Sequence, residues 1–213
     1  MVKKTPDNSL ARGNTIVISA PSGAGKSTLV KRLLASVPSL TFSISYTTRP
    51  PRPGEKDGRD YFFVTPARFQ RMVAGGEFVE WAQVHGHLYG TLWRQLREAQ
   101  AAGKDILLDI DVQGYAQVRR RLREAISVFV LPPSYRILER RLRRRHSDAS
   151  EVIARRLAAA RKEIRHWIEY DYLVVNDRLP RATAALRAVV MGARLRRQSQ
   201  QARAETICQT FGG

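Results

Sequence analysis

Thr15-Ile-Val-Ile-Ser-Ala-Pro-Ser-Gly-Ala-Gly-Lys-Ser-Thr28 decides how this chain is read. An apolar, β-branched run opens it, a glycine-rich turn follows, and Leu29-Val-Lys-Arg-Leu-Leu34 continues it with helical spacing. Strand, turn and helix in that order are the context in which a phosphate-binding loop works. Gly23 and Gly25 permit backbone angles that other residues resist, so main-chain N–H groups can close on an anion. The following helix adds unpaired N–H groups and the positive end of its dipole. Lys26 suits the β- and γ-phosphates of a nucleotide, and the Ser27 hydroxyl suits Mg²⁺. The motif's first glycine is Ala20 here, a small departure. The candidate phosphate loop is thus Ala20, Pro21, Ser22, Gly23, Ala24, Gly25, Lys26, Ser27 and Thr28.

The rest of the composition bounds what can be built around that loop. A chain of 213 residues, 43% hydrophobic, suits one domain, or a core with small inserts, and a substantial buried interior. A lone cysteine, Cys208, excludes an internal disulfide framework and suits a reducing cytoplasm. Residues 1–13 are polar, lack the apolar centre of a signal peptide and read as a loose tail. No apolar run approaches the roughly 18 residues of a membrane span. The net charge of +18, from 37 basic and 19 acidic residues, favours anionic partners without choosing among them. Its densest stretches, 119–123, 136–145, 155–165 and 187–203, have helical spacing and read as solvated helix faces.

Continuous apolar runs predict strands at 15–19, 41–45, 106–110, 126–131 and 172–175, as in strands covered on both faces. Helical patterns fall between them at 26–35, 92–102, 112–122, 134–145, 149–170 and 181–201. This alternation predicts an α/β fold with a parallel sheet core flanked by helices. Two segments break the rhythm. Residues 46–93 begin with a Pro- and Gly-rich stretch and continue with short β-like pieces at 61–64 and 78–84 around a short helix, an inserted α+β lobe. Residues 140–165 form an arginine-dense helical pair interrupted at His146-Ser-Asp148.

Several of these stretches together resemble the bacterial guanylate kinases. The resemblance is carried by Ser19-Ala-Pro-Ser-Gly-Ala-Gly-Lys-Ser-Thr28 and by Ser43-Ile-Ser-Tyr-Thr-Thr-Arg-Pro-Pro-Arg-Pro-Gly-Glu-Lys-Asp-Gly-Arg-Asp-Tyr-Phe-Phe63. Glu77-Phe-Val-Glu-Trp-Ala-Gln83, Tyr89-Gly-Thr91 and Leu108-Asp-Ile-Asp-Val-Gln-Gly114 extend it, so that it spans roughly residues 14 to 200. The loop alone is shared with many NTPases; the block from Thr48 and Arg49 through Arg52, Glu55 and Gly58 to Tyr61 is far more specific. The resemblance implies a P-loop NTPase fold and transfer of the γ-phosphoryl of ATP to GMP, with Mg²⁺. It also implies a division into a tail (1–13), core (14–45), GMP-binding lobe (46–93), core (94–139), helical lid (140–165), and core with C-terminal helix (166–213).

Roles follow residue by residue from the same resemblance. Arg49, Arg52, Tyr61 and Tyr89 match the cluster that holds the GMP phosphate, for which guanidinium forks and phenol hydroxyls are suited. Glu80 matches the guanine reader, because a carboxylate accepts from N1–H and N2–H₂ together where adenine presents an acceptor. Ser45 and Thr91 supply hydroxyls beside it, Thr91 standing where the family usually has Ser. Asp109 and Asp111 end an apolar strand on the same side. Asp109 is the candidate for the guanosine side and for a water on Mg²⁺; Asp111 equally suits a helix cap. Lys26, Arg141, Arg145 and Arg156 are the candidate transition-state cations, and Ser27 the candidate metal ligand. His146 stands where the family commonly has Gly. Asn176 and Asp177 match residues near the adenine of ATP, with Arg178 where an acidic residue is usual.

Two other classes compete. Guanylate-kinase-like modules of scaffold proteins grip peptides and have damaged phosphate loops, whereas Lys26, Ser27, Arg49, Arg52 and Glu80 all stand here. A basic nucleic-acid-binding protein would account for the charge, but no helix-turn-helix or zinc-ligand spacing accompanies it. The expectation is ATP and GMP as partners, no specific nucleic acid, no membrane and a cytoplasmic location. A homo-oligomer is left open, because the helix at 181–201 can pack on its own core or on a second subunit.

Overall fold

The computed structural model describes residues 13–84, 86–144 and 150–211. β1 (Thr15–Ser19) is the centre of a five-stranded parallel sheet and is buried along its whole length. On one side it pairs with β7 (Asp105–Asp109), which pairs in turn with β2 (Leu40–Phe42). On the other it pairs with β8 (Ile126–Leu131), and the outermost strand is β9 (Tyr172–Val175). Alternation along these strands divides their side chains between two layers. Ile16, Ile18, Leu107, Val128 and Val130 pack against α1 (Lys26–Ser36) and α7 (Leu179–Arg194). Val17, Ile106, Leu108 and Phe129 pack against α3 (Trp93–Ala101) and α4 (Val112–Arg121). Helices on both faces explain why the sequence shows unbroken apolar runs rather than alternation.

A second sheet, ordered β4-β3-β6-β5, is made from β3 (Tyr46–Thr47), β4 (Phe62–Phe63), β5 (Phe78–Val84) and β6 (His87–Leu92). Tyr46, Phe69, Met72, Phe78 and Leu92 form its own small core beneath α2 (Pro66–Ala74). The Thr65 hydroxyl caps that helix by accepting from Arg68 N, with Pro66 at its first position. The arginine-rich segment contains α5 (Tyr135–Arg143) and α6 (Ser150–Glu163), joined by a third small cluster of Leu138, Leu142, Ile153, Leu157 and Ala160.

Four expectations change in detail. The first core strand after α1 stops at Phe42, because Gln95 takes over the polar groups beyond it. Its side chain accepts from Ser43 Oγ at 2.8 Å and Ile44 N at 2.9 Å and donates to the Ile44 carbonyl at 2.7 Å. The strand predicted at 106–110 begins one residue earlier, at a buried charge: Asp105 accepts from Asn14 N at 2.7 Å and from Arg194 Nε at 2.7 Å. The helix predicted over 149–170 ends at Glu163 and gives way to a 3₁₀ segment, Ile164–Glu169. The helix predicted over 181–201 divides into α7 and α8 (Arg197–Gln209). There Arg194 reaches down to Asp105 and to the Pro38 carbonyl at 2.6 Å, and Ser199 Oγ approaches the Ala193 carbonyl at 3.1 Å. Among the described residues no helix is long and apolar enough to cross a membrane.

Candidate active site

The phosphate loop leaves β1 at the carboxyl edge of the parallel sheet, where ligands of such folds bind. Gly23 and Gly25 have φ of 91° and 92°, in the left-handed region that favours glycine. Gly25 is also required by crowding, since a Cβ there would run into the Asn176 amide nitrogen. That amide donates to the Ala24 carbonyl at 2.7 Å, and Arg141 Nη1 donates to the same carbonyl at 3.1 Å. Arg141 Nη2 reaches the Asn176 carbonyl at 2.8 Å, closing a three-residue brace behind the loop. From α6, Arg156 Nε donates to Ser22 Oγ at 3.2 Å, and Glu163 accepts from Ser22 N at 3.2 Å.

In front of the loop lies a cleft of about 340 Å³ between the two sheets. Of the predicted residues it brings together Lys26, Ser27, Ser45, Arg49, Arg52, Tyr61, Glu80, Tyr89 and Asp109, with Asp111 at its edge. Lys26 Nζ forms an ion pair with Asp109 and donates to the Ile110 carbonyl at 3.1 Å. Both partners are about four-fifths shielded from solvent. The lysine is therefore held at the strand end, its charge answered by one carboxylate.

Arg49 is stored in the same manner. Its Nη2 donates to both Glu55 oxygens, at 2.8 and 2.9 Å, and its guanidinium stands 5.3 Å from the centre of the Tyr61 ring. Burial would push the Glu55 carboxyl up, yet the Arg52 N–H and the Arg49 guanidinium together hold it below the usual carboxylate value. Tyr61 and Tyr89 stack edge to face at 5.9 Å, which places both phenols beside that arginine.

Glu80 lies deeper, only 3% exposed, on β5 opposite Thr91 of β6. Burial pushes its carboxyl up to about 7; contact with Thr91 and the charge of Arg121 oppose that rise, and Asp111 adds to it. Thr91 Oγ1 is close enough to favour the ionised carboxyl, but it falls short of hydrogen-bond geometry and is left as a buried hydroxyl without a full partner. Gly114 on α4 is part of the same pocket wall, because a Cβ there would strike Glu80 Oε2. Asp111 caps α4, accepting from Gly114 N at 2.8 Å.

Other predicted residues lie elsewhere. Arg141, Arg156 and Asn176 stand behind or beside the loop rather than in the cleft. Asp177 is exposed and accepts from Arg178 N at 2.6 Å. Arg145 and His146 fall outside the described residues. Gln117 and Arg121, which hold the backbone around Glu80, are absent from the sequence-derived set. Both meet main-chain atoms, and no side-chain pattern signals that.

The arrangement joins a glycine-rich loop to a pocket with arginines and tyrosines at its mouth and the buried carboxyl group of Glu80 at its base. The guanylate kinase family model matches residues 12–193. A guanylate kinase of Syntrophotalea carbinolica is 54% identical over 84% of this chain and 85% of its own. One of Dechloromonas aromatica is 53% identical, covering 90% and 95%. The crystal structure of guanylate kinase from Anaplasma phagocytophilum superposes with a TM-score of 0.74 at 32% identity, covering 89% of this chain and 90% of that one.

Proposed function

The chain belongs to the guanylate kinase family, and on that premise we propose how its residues divide the work of the reaction. It is an ATP:GMP phosphotransferase, giving ADP and GDP. The observation that carries the assignment of roles is the single cleft in which Lys26 and Ser27 face Arg49, Arg52 and Glu80.

The donor phosphates lie along the loop from Ala20 to Thr28, held by main-chain N–H groups and by Lys26 once it leaves Asp109. Arg49, Arg52, Tyr61 and Tyr89 take the acceptor phosphate. Glu80 accepts from the two neighbouring guanine donors, which stabilise its ionised form, and Thr91, Ser45 and Asp109 line the same base and ribose. A polar site left unpaired by the wrong base discriminates by roughly 10⁴ or more. Arg141, Arg145 and Arg156 spread positive charge over the transferring phosphoryl, as positioning and charge stabilisation supply most of phosphoryl-transfer catalysis. Asn176 contributes by bracing Ala24, with Asp177 on the adenine side.

Guanylate kinases are nucleotide kinases that need a divalent metal. The donor set here fits Mg²⁺: Ser27 and Asp109 place oxygens in the cleft beside Lys26. Among the described residues no cluster of three or more His, Cys, Asp or Glu could hold a metal without help. Mg²⁺ suits such a site, taking few protein ligands and completing its shell with phosphate oxygens and water. Ser27 and Asp109 would hold it, and when bound it would offset the negative charge of the nucleotide phosphates. The reading is completed by a cytoplasmic location, favoured by the lone Cys208, and by the absence of any specific nucleic-acid or membrane partner.

The deciding experiment is ATP-dependent ADP formation with GMP, AMP, UMP and CMP in parallel. Selective turnover of GMP is expected. Equal turnover of AMP would remove Glu80 from its role, and no turnover with any acceptor would favour a silent binding module.

A further inference from the structure

β5 is the edge strand of the second sheet, so one row of its backbone groups has no strand partner. The α4 helix covers that row with two side chains. Gln117 Nε2 donates to the Trp81 carbonyl at 2.6 Å, while its Oε1 accepts from Trp81 N at 3.3 Å, so that one amide pairs with Trp81 as a neighbouring strand would. Arg121 Nη1 donates to the carbonyls of Phe78 and Val79, at 2.9 and 2.7 Å.

Those two carbonyls lie at an irregularity. Phe78 pairs with Leu92 and Glu80 with Thr91, so the strand spends one extra residue, Val79, at this point. A bulge of this kind leaves a residue unpaired and turns the side chains around it. Here the turned side chain is Glu80, enclosed between the Arg121 contacts on one side and the Gln117 contacts on the other. Gly114, one turn before Gln117, leaves space for the carboxyl.

We propose that Arg121, assisted by Gln117, is a positioning residue for guanine selection: it fixes the bulge at Phe78 and Val79 and thereby aims Glu80 into the acceptor pocket. This rests on the reading of Glu80 as the guanine-binding carboxylate. Arg121 touches neither nucleotide in this scheme. Its guanidinium answers the two edge carbonyls at the bulge, and without it the cheapest relaxation is to regularise the pairing. A one-residue slip reverses which face every side chain of a strand occupies.

The test is steady-state kinetics of Arg121→Met, Arg121→Lys, Glu80→Gln and the Arg121→Met/Glu80→Gln double variant. Methionine keeps the apolar stem and removes the donors, whereas the lysine ammonium can still reach both carbonyls. Arg121→Met is expected to raise KM for GMP about tenfold or more, the scale of a lost charge-assisted hydrogen bond, with KM for ATP within about twofold of the parent. Arg121→Lys is expected to restore most of the loss. In the Glu80→Gln background the methionine change is expected to add less than about twofold, because residues acting through one another do not add.

If Arg121→Met keeps the parental KM for GMP while Glu80→Gln raises it, the positioning role is wrong and the reading of Glu80 stands. A Glu80→Gln enzyme with parental GMP kinetics overturns both. Full multiplicative losses in the double variant would show that Arg121 acts independently of Glu80, and that also overturns the proposal. Should Arg121→Met fail to fold, Gln117→Leu replaces it. It is expected to give the same selective loss for GMP, and parental KM in that variant counts against the proposal.

Discussion

The side-chain amide of Asn176 donates to the Ala24 carbonyl at 2.7 Å, tying the residue after the last core strand to the middle of the phosphate loop. The same carbonyl accepts from Arg141, and Gly25 leaves the space that the amide occupies. The loop thus has a fixed rear wall before any nucleotide arrives. Removing the amide leaves Ala24 with one donor instead of two. Asn176→Ala is expected to lose about 1–2 kcal/mol of stability and to raise KM for ATP several-fold with little change for GMP. Denaturant unfolding together with separate titrations of the two substrates checks this.

Glu80 gives the enzyme a pH signature. Burial raises its carboxyl from the ordinary value of about 4.5 to about 7 in the folded protein. Between those values the folded state binds more protons than the unfolded state, so this group's contribution to stability falls as pH rises from about 4.5 to 7. Glu80→Gln removes that dependence. The variant should gain stability over the parent at pH 8, on the order of 3 kcal/mol, and lose the advantage near pH 4.5. Function runs the other way, because the ionised carboxylate is the better acceptor for guanine. The kcat/KM for GMP should rise through about pH 7 in the parent and lack this limb in Glu80→Gln. Thermal melts and rate profiles across pH 5–9 separate the two effects.

Gly114 has no Cβ because the Glu80 carboxyl fills the space. Gly114→Ala is expected to cost about 1–3 kcal/mol through overpacking and to reduce kcat/KM for GMP more than tenfold. KM for ATP should be unaffected. A parental GMP constant in a folded Gly114→Ala enzyme would count against the contact.

Far from the cleft, the Asp105 side chain is 4% exposed and paired with Arg194, which is itself bonded to the Pro38 carbonyl. Breaking a buried pair by removing one partner costs about 3–5 kcal/mol. Arg194→Ala should reach that range, measured by urea unfolding. Asp105→Ala should lose a comparable amount, since Asn14 N and Nδ2 also donate to Asp105 Oδ1. KM for GMP should hold in both.

These contacts also explain which parts of the molecule were legible in the sequence. β1, β8 and β9 are read at their observed limits, because apolar strands flanked by turn residues carry their own signal. The glycine-rich loop is read from its spacing between a strand run and a helical pattern. β6 is missed: His87, Tyr89 and Thr91 interrupt its apolar residues, Tyr89 lining the cleft and Thr91 lying buried opposite Glu80. The division between α7 and α8 is marked in the sequence only by Gly192, inside the last turn of α7, and by no proline. It is set by Arg194 and Ser199 reaching partners about 90 and 185 residues away. The arginine- and tyrosine-lined side of the cleft is legible only through family resemblance, not through spacing. Its residues are scattered from Ser45 to Asp109, and only the fold brings them to one place.

The grip of α4 on β5 has a mechanical consequence. α4 is rooted at Asp111, immediately after a strand of the parallel sheet, yet its far end is bonded to the edge of the other sheet. β5 is thus fastened to the parallel sheet through α4, like a door to its jamb. Were the smaller sheet to turn on that edge, Glu80 on β5 would travel least, and Arg49 and Tyr61, beside β3 and β4 on the far side of β6, would sweep the greater arc.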